Sequence, residues 1–280
     1  MRCPSPLARA LAAAACLLAP AVLAAEPAAV KSAIEARLRD KLPGLSRADY
    51  PLGSAAFDAE IRAREDANAE ATKDVVARGA ALWKKKFKDG RSLAGCFPNS
   101  GRRVAVAYPQ YHTAAKRIFT LEMAINQCLK THQEPLLDYD DPQTMGAITA
   151  YVRSLSDGYA IGVRVPPAAE PLFEQGRRLY FTRMGQRNFA CASCHIQVAG
   201  KRYADVPLSP AIGQAARWPF IRDGEARTLQ AQIRACLERM GAAPFSAGSE
   251  DLNDLEYFLT YLSNGLAVKA NAWRPAAPGR

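Results

Sequence analysis

Phe189 to Ile196 read F-A-C-A-S-C-H-I, so Cys191, Cys194 and His195 stand in the spacing C-x-x-C-H. Two thiols on one turn can add across the two vinyl groups of a porphyrin, and the adjacent imidazole then falls beneath the iron. This is the attachment motif of c-type haem. The competing chemistry is a structural disulfide or a zinc site that happens to be followed by histidine. Zinc wants a second pair of ligands, and the other two histidines, His112 and His132, lie far upstream. One covalently bound haem c is therefore expected, with Cys191 and Cys194 as its thioethers and His195 as proximal ligand.

The compartment decides how the remaining cysteines are read. Met1 to Arg9 carry two arginines and no acid, Ala10 to Leu23 are apolar, and Val22-Leu23-Ala24 ends in the small residue that a signal peptidase accepts. A secretory signal peptide over residues 1–25 is expected. Its apolar core falls short of the roughly 20 residues a spanning helix needs, so no transmembrane segment is expected in the mature chain. Cys16 follows Ala13-Ala14-Ala15 and lacks the leucine that a lipidation site carries three residues earlier.

Removing 25 of the 280 residues leaves 255, a length that suits two modest domains. Losing Arg2 and Arg9 lowers the formal charge from +10 to +8. A basic exported protein steers anions toward itself, although solvated lysines are the plainer account, and Lys84-Lys85-Lys86-Phe87-Lys88 reads as a solvated helix face. Nucleic acid is not expected as a partner outside the cytoplasm. Cys3 and Cys16 leave with the signal. The mature chain then keeps Cys96, Cys128, Cys191, Cys194 and Cys236, an odd number that leaves one thiol over after pairing.

The elements around the motif have to hold a haem. Before it, Leu172, Phe173, Gly176, Leu179 and Tyr180 recur at helical spacing. Near the end, Leu252, Leu255, Phe258, Leu259 and Leu262 line one face of a second helix. That helix starts after Ser249, with Glu250, Asp251 and Asp254 in its early turns, and stops at Asn264-Gly265. Two helices crossing over a haem held by the first loop resemble a class I cytochrome c.

A repeat extends this unit over the whole chain. Thr120 to Leu129 lie over Thr228 to Leu237 with Thr, Leu, Ile, Cys and Leu matching, and Tyr151 to Gly158 lie over Phe258 to Gly265. Gly79, Leu82 and Trp83 correspond to Gly176, Leu179 and Tyr180. The fold class expected is mainly α, with two tandem class I cytochrome c-like domains, the first without haem. The boundaries expected are a signal peptide over 1–25, an N-terminal extension over 26–70, a haem-less domain over 71–160 and a haem-binding domain over 161–280.

On that alignment Cys96-Phe97-Pro98-Asn99-Ser100 falls where Cys191-Ala192-Ser193-Cys194-His195 stands, so the second cysteine and the histidine are replaced by Asn99 and Ser100. Cys96 and Cys128 would have flanked a haem from opposite faces, and without it they can close onto each other. A cross-link over roughly 30 residues contributes about 3 to 4 kcal/mol by the loop-entropy argument. Two free buried thiols are the alternative, less expected in an oxidising compartment.

Cys236 is then the odd thiol. Met240 is its rival as distal ligand, because the two are i and i+4 and share a helix face. A methionine ligand belongs to a higher-potential electron carrier, whereas a thiolate stabilises ferric iron. The repeat favours the cysteine, since Cys128 repeats Cys236 while His132 stands where Met240 does. Core packing is the ordinary role of a methionine.

These residues carry a family resemblance. The signal peptide, the two units with a degenerate first site, C-x-x-C-H in the second, Thr228-Leu229-Gln230 leading to Cys236, Pro244-Phe245 and the Leu262-Ser263-Asn264-Gly265 helix end resemble the SoxA subunit of the SoxAX thiosulfate-oxidising cytochrome, in its single-haem form. Tyr50-Pro51, Gly53 and Gly79-x-x-Leu82-Trp83 extend the likeness over nearly the whole mature chain. The resemblance implies an L-cysteine S-thiosulfotransferase of the periplasm. Thiosulfate is joined oxidatively to a cysteine of the carrier SoxYZ, and electrons leave through the haem of a SoxX partner in a heterodimer. It also implies that Cys236 is both distal iron ligand and the site carried as a persulfide, a polarisable nucleophile for covalent transfer.

One departure concerns the anion. The family commonly has an arginine four residues before the ligand cysteine, where this chain has Gln232. Arg234 and Arg239 are the candidate replacements, and Arg239 at i+3 shares the face of Cys236 more closely than Arg234 at i−2. A guanidinium suits sulfonate oxygens; Lys201 and Arg202 are weaker candidates. Two other readings stay open: an electron-transfer cytochrome with Met240 on iron, and a thiosulfate dehydrogenase that joins two thiosulfates to tetrathionate.

Overall fold

The computed structural model describes residues 26–203, 206–222 and 224–272. The signal peptide expected over 1–25, with Cys3 and Cys16, lies outside the described residues. The fold is mainly helical and built from two cytochrome c units, as the repeat predicts.

The chain begins with helix α1 (Pro27–Lys41), opened by Pro27 and by the Glu26 carboxylate, which accepts the Ala29 N–H at 3.2 Å. Its Ile34 and Leu38 are buried. Lys31 Nζ donates to the Asn264 carbonyl at 2.8 Å and Lys41 Nζ to the Gln197 carbonyl at 2.9 Å. The N-terminal helix thus lies against the second unit, beside the turn that follows His195. A 3₁₀ stretch (Arg47–Phe57) buries Tyr50 and Leu52, and helix α2 (Ala59–Ala71), capped by Asp58, leads into the first unit.

The first unit contains α3 (Lys73–Lys84), α4 (Leu93–Cys96), a hairpin of β1 (Gln110–His112) and β2 (Arg117–Phe119), α5 (Leu121–Thr131) and α6 (Met145–Ser154). The second contains α7 (Glu170–Phe181), a widened helical turn over Ser193–Gln197, a short hairpin of β3 (Arg202–Tyr203) and β4 (Val206–Pro207), and α8 (Gln214–Arg217). A hairpin of β5 (Phe220–Arg222) and β6 (Glu225–Arg227), then α9 (Leu229–Arg239) and α10 (Glu250–Leu262), complete it.

The repeat seen in the sequence is a repeat of contacts. In each unit the first long helix crosses the last at a glycine. A Cβ on Gly79 would stand 1.9 Å from the Ala147 carbonyl oxygen, and one on Gly176 would stand 2.0 Å from that of Asp254. Only a missing side chain lets the backbones approach so closely. Thr120 and Thr228 cap α5 and α9, each accepting a backbone N–H three residues on, at 3.3 and 3.1 Å. The serine of each Leu-Ser-x-Gly end accepts a backbone N–H from its own unit: Ser156 Oγ from Ala105 at 3.2 Å, Ser263 Oγ from Gly213 at 2.9 Å. The chain also enters the β1–β2 and β5–β6 hairpins through cis bonds, Tyr108–Pro109 and Trp218–Pro219.

The units are welded through a shared core rather than strung as beads. Arg153 of α6 is fully buried and donates to the carbonyls of Ala215 at 2.6 Å, Trp218 at 3.2 Å and Ala105 at 3.4 Å, with its guanidinium 4.7 Å from the Trp218 ring centroid. The segment after α6 pairs with the end of the described chain: Ile161 N–H donates to Leu266 and Val268 N–H to Tyr159, both at 2.9 Å. The lysine run differs from expectation. α3 ends at Lys84, the lysines that follow are exposed off the helix, and Phe87 turns in to lie 5.2 Å from the His132 ring.

Candidate functional site

The motif sits where α7 hands the chain to the Ser193–Gln197 turn, and that turn is locked at both ends. Ser193 Oγ accepts the Ala190 N–H at 3.1 Å, and the Val198 N–H returns to the Ser193 carbonyl at 3.1 Å. Cys194 is an unpaired cysteine on this turn, and Cys191 is another just before it. Burial pushes the Cys191 thiol up to about 12, with Cys236 and Cys194 adding to the rise, and the Cys194 thiol is raised by burial and then by Cys236. The three sulfurs therefore lie in one neighbourhood, close enough to act on one another's charge. Tyr180 of α7 borders it: the ring is buried, and its hydroxyl is raised well above its ordinary range by burial and by Cys191 and Cys194.

His195 is oriented from a distance. Its Nδ1 lies 2.7 Å from the Ser209 carbonyl oxygen, which can only accept, so Nδ1 carries the proton and Nε2 the lone pair. Fixing one ring nitrogen by a backbone carbonyl is how a metal-ligating imidazole is held in its working tautomer. Ser209 itself is buried and bound by Gln214, whose side chain donates to Ser209 Oγ at 2.9 Å. Nothing local in the sequence marked Ser209, which lies in the segment between β4 and α8.

Cys236 is in the middle of α9 and half-buried. Two side chains of its own helix reach its sulfur. Arg239 Nη2 lies 2.9 Å away and Gln232 Nε2 lies 3.7 Å away. Arg234 points elsewhere: it is ion-paired with Asp140 of the first unit. Met240 forms the C-cap of α9, its N–H donating to the Cys236 carbonyl at 3.1 Å, and its side chain is buried in the core. Lys201 and Arg202 are exposed in and beside β3.

In the first unit Cys96 and Cys128 form a disulfide between α4 and α5. Ser100 stands where the second unit has His195. Trp83, the counterpart of Tyr180, is buried with its ring 5.0 Å from Phe97 and its indole N–H donating to the Ser100 carbonyl at 2.9 Å.

The donor set of the second unit fits a haem c. It has two closely spaced thiols, an adjacent imidazole whose Nδ1 is already committed to a carbonyl, and a third sulfur near enough to raise both thiols by its charge.

Comparison with known proteins agrees. The family described as SoxA/TsdA, cytochrome c domain, matches residues 78–161 and 175–268. The chain is 34% identical over 254 residues to the L-cysteine S-thiosulfotransferase subunit SoxA of Allochromatium vinosum, spanning 88% of this chain and 90% of that one. It is also 34% identical to the subunit of that name from Chlorobaculum tepidum, over 86% of each. Among solved structures, SoxXA from P. pantotrophus superposes with a TM-score of 0.70 at 27% identity, covering 78% of this chain and 84% of that one. With its two cytochrome c units, its C-x-x-C-H turn and these relatives, the chain belongs to the SoxA family of L-cysteine S-thiosulfotransferase subunits.

Proposed function

We propose that this chain is the catalytic subunit of a periplasmic enzyme that oxidatively conjugates thiosulfate to a cysteine of a SoxYZ carrier, working as a heterodimer with a SoxX cytochrome. The observation that carries the reading is the 2.9 Å contact between Arg239 and the Cys236 sulfur. A doubly charged thiosulfate that reaches this sulfur meets a guanidinium already in place, and a charge-assisted pair to its sulfonate oxygens is about twice as strong as a neutral hydrogen bond. Likeness to relatives named for the transferase supports the reaction, and likeness to a SoxXA structure supports the partner.

A single haem c would be held by thioethers from Cys191 and Cys194, with His195 and Cys236 as the residues that would ligate its iron. When bound, it supplies the redox centre for the coupling. The chain's residues do the rest. Cys236 carries sulfur as a persulfide. Arg239 holds the anion, Gln232 lends an amide N–H to the same sulfur, and Arg234 anchors α9 to the first unit through Asp140. In the net reaction a carrier thiol and thiosulfate form one S–S bond, giving the S-thiosulfonate and releasing one proton and two electrons, a difficult oxidation that covalent transfer divides into smaller steps. The first unit, over 71–160, holds no haem and is braced by its disulfide.

The test is Cys236→Ser and Cys236→Met in the holo-heterodimer, reading thiosulfate-dependent mass gain on SoxYZ and the haem absorption spectrum. Conjugation is lost in both variants and the ligand-sensitive bands move. Full conjugation by either variant sinks the transferase reading. An unchanged spectrum in Cys236→Ser would put Met240 on iron, and tetrathionate formed without carrier would make the chain a thiosulfate dehydrogenase.

A further inference from the structure

The degenerate first site still gathers ligands. Cys96 is exposed at the end of α4, Cys128 is buried on α5, and His132 caps α5 four residues later, its N–H bound to the Cys128 carbonyl at 3.2 Å. The ligand atoms of these three side chains lie within 4.8 Å of one another. Behind the imidazole, Asp89 Oδ2 lies 2.6 Å from His132 Nδ1, and Asp89 is fixed in turn by the Arg91 N–H at 2.9 Å. The Phe87 ring packs beside the imidazole. A carboxylate on one ring nitrogen, with the other left to bind, is the arrangement that orients zinc-ligating histidines.

We propose that the first unit is a redox-gated metal site: when the Cys96–Cys128 disulfide is reduced, the two cysteines and His132 bind a thiophilic divalent cation of the zinc class, with Asp89 holding the imidazole. The site lies at the repeat position of Cys236 and Met240, so the helix that presents the reactive sulfur in one unit presents a metal-binding pair in the other. Two thiolates, one imidazole and a water in the fourth position complete a tetrahedral zinc shell. Thiolates bonded to zinc at about 2.3 Å sit roughly 3.8 Å apart at a tetrahedral angle, and the Cα separation of 6.1 Å between Cys96 and Cys128 suits both bridges. The same two elements, α4 and α5, are therefore clamped in either state.

The step balances. A dithiol reductant breaks the S–S bond, gives two electrons and two protons to the two sulfurs, and itself closes to a disulfide. Zinc then displaces those protons as it forms two thiolate bonds. Exposure of Cys96 gives the reductant its point of attack.

The experiment uses the full-length holoprotein, oxidised or treated with dithiothreitol and freed of it, then equilibrated with zinc ion alone. Zinc retained after gel filtration is measured by atomic emission, and affinity by competition with a chromophoric chelator. The reduced protein retains one equivalent more than the oxidised protein. His132→Ala, which leaves the disulfide intact, weakens zinc about 10- to 100-fold after reduction. Asp89→Ala weakens it less, and Asp89→Glu restores it. If reduction loosens the first unit, zinc restores its circular dichroism. Equal zinc in oxidised and reduced protein overturns the proposal, as does unchanged affinity in His132→Ala or a reduced fold that zinc does not rescue.

Discussion

Arg239 and Cys236 lie one turn apart on α9, with Nη2 2.9 Å from Sγ, while Arg234 on the same helix is drawn away to Asp140. Three-residue spacing puts the first pair on one face. The second pairing follows from the first unit, whose Asp138 to Asp141 loop brings a carboxylate to the α9 surface. The helix therefore divides its two arginines between the Cys236 sulfur and the neighbouring unit.

Arg239→Ala should lower kcat/KM for thiosulfate roughly 10- to 100-fold, the value of one charged hydrogen bond. Arg239→Lys should recover part of this, and Arg234→Ala should change it little. Steady-state conjugation of the carrier at varied thiosulfate measures all three.

Gly79→Ala and Gly176→Ala should each destabilise the fold by about 3 kcal/mol or more, since the added methyl meets backbone carbonyls that cannot move aside. Gly95→Ala and Gly162→Ala, where a Cβ meets nothing within 4 Å, should fall within roughly 0.5 kcal/mol of the parent. Urea unfolding of the four variants decides it.

Arg153→Leu should cost roughly 3 to 5 kcal/mol. It orphans three buried carbonyls, those of Ala105, Ala215 and Trp218, and leaves the buried carboxyls of Glu122 and Glu256 without the cation that opposes their upward shift. Amide exchange should quicken along both α6 and α8, because the residue belongs to one unit and its partners largely to the other.

Asp254 gives stability a slope with pH. Burial first, then repulsion from Asp251 and Glu250, raises its carboxyl from 3.8 to about 7. A raised acid favours the folded state while it stays protonated. Its contribution is whole below pH 4 and is lost as the pH climbs toward 7. Asp254→Asn should flatten this part of the curve, measured as urea midpoints between pH 4 and 8.

Much of this protein was legible without coordinates, and for a local reason. A porphyrin attachment motif needs two thiols and an imidazole on one turn, so the expectation for Cys191, Cys194 and His195 could be read from spacing alone. Helix caps and crossings act over a few residues, so Thr120 and Thr228, or Gly79 and Gly176, could be matched as a repeat. The loss of cysteine and histidine at Asn99 and Ser100 left Cys96 to seek Cys128, and the disulfide is found there.

What the tertiary structure decided is which side chains arrive from elsewhere. The Ser209 carbonyl that sets the His195 tautomer, the Asp140 carboxylate that removes Arg234 from contention, and the carbonyls gathered by Arg153 belong to distant segments. Pattern reports the face a residue occupies on its own helix. Only folding brings the opposing charge or lone pair to that face, and here that choice left Arg239, of two equally basic neighbours, beside the Cys236 sulfur.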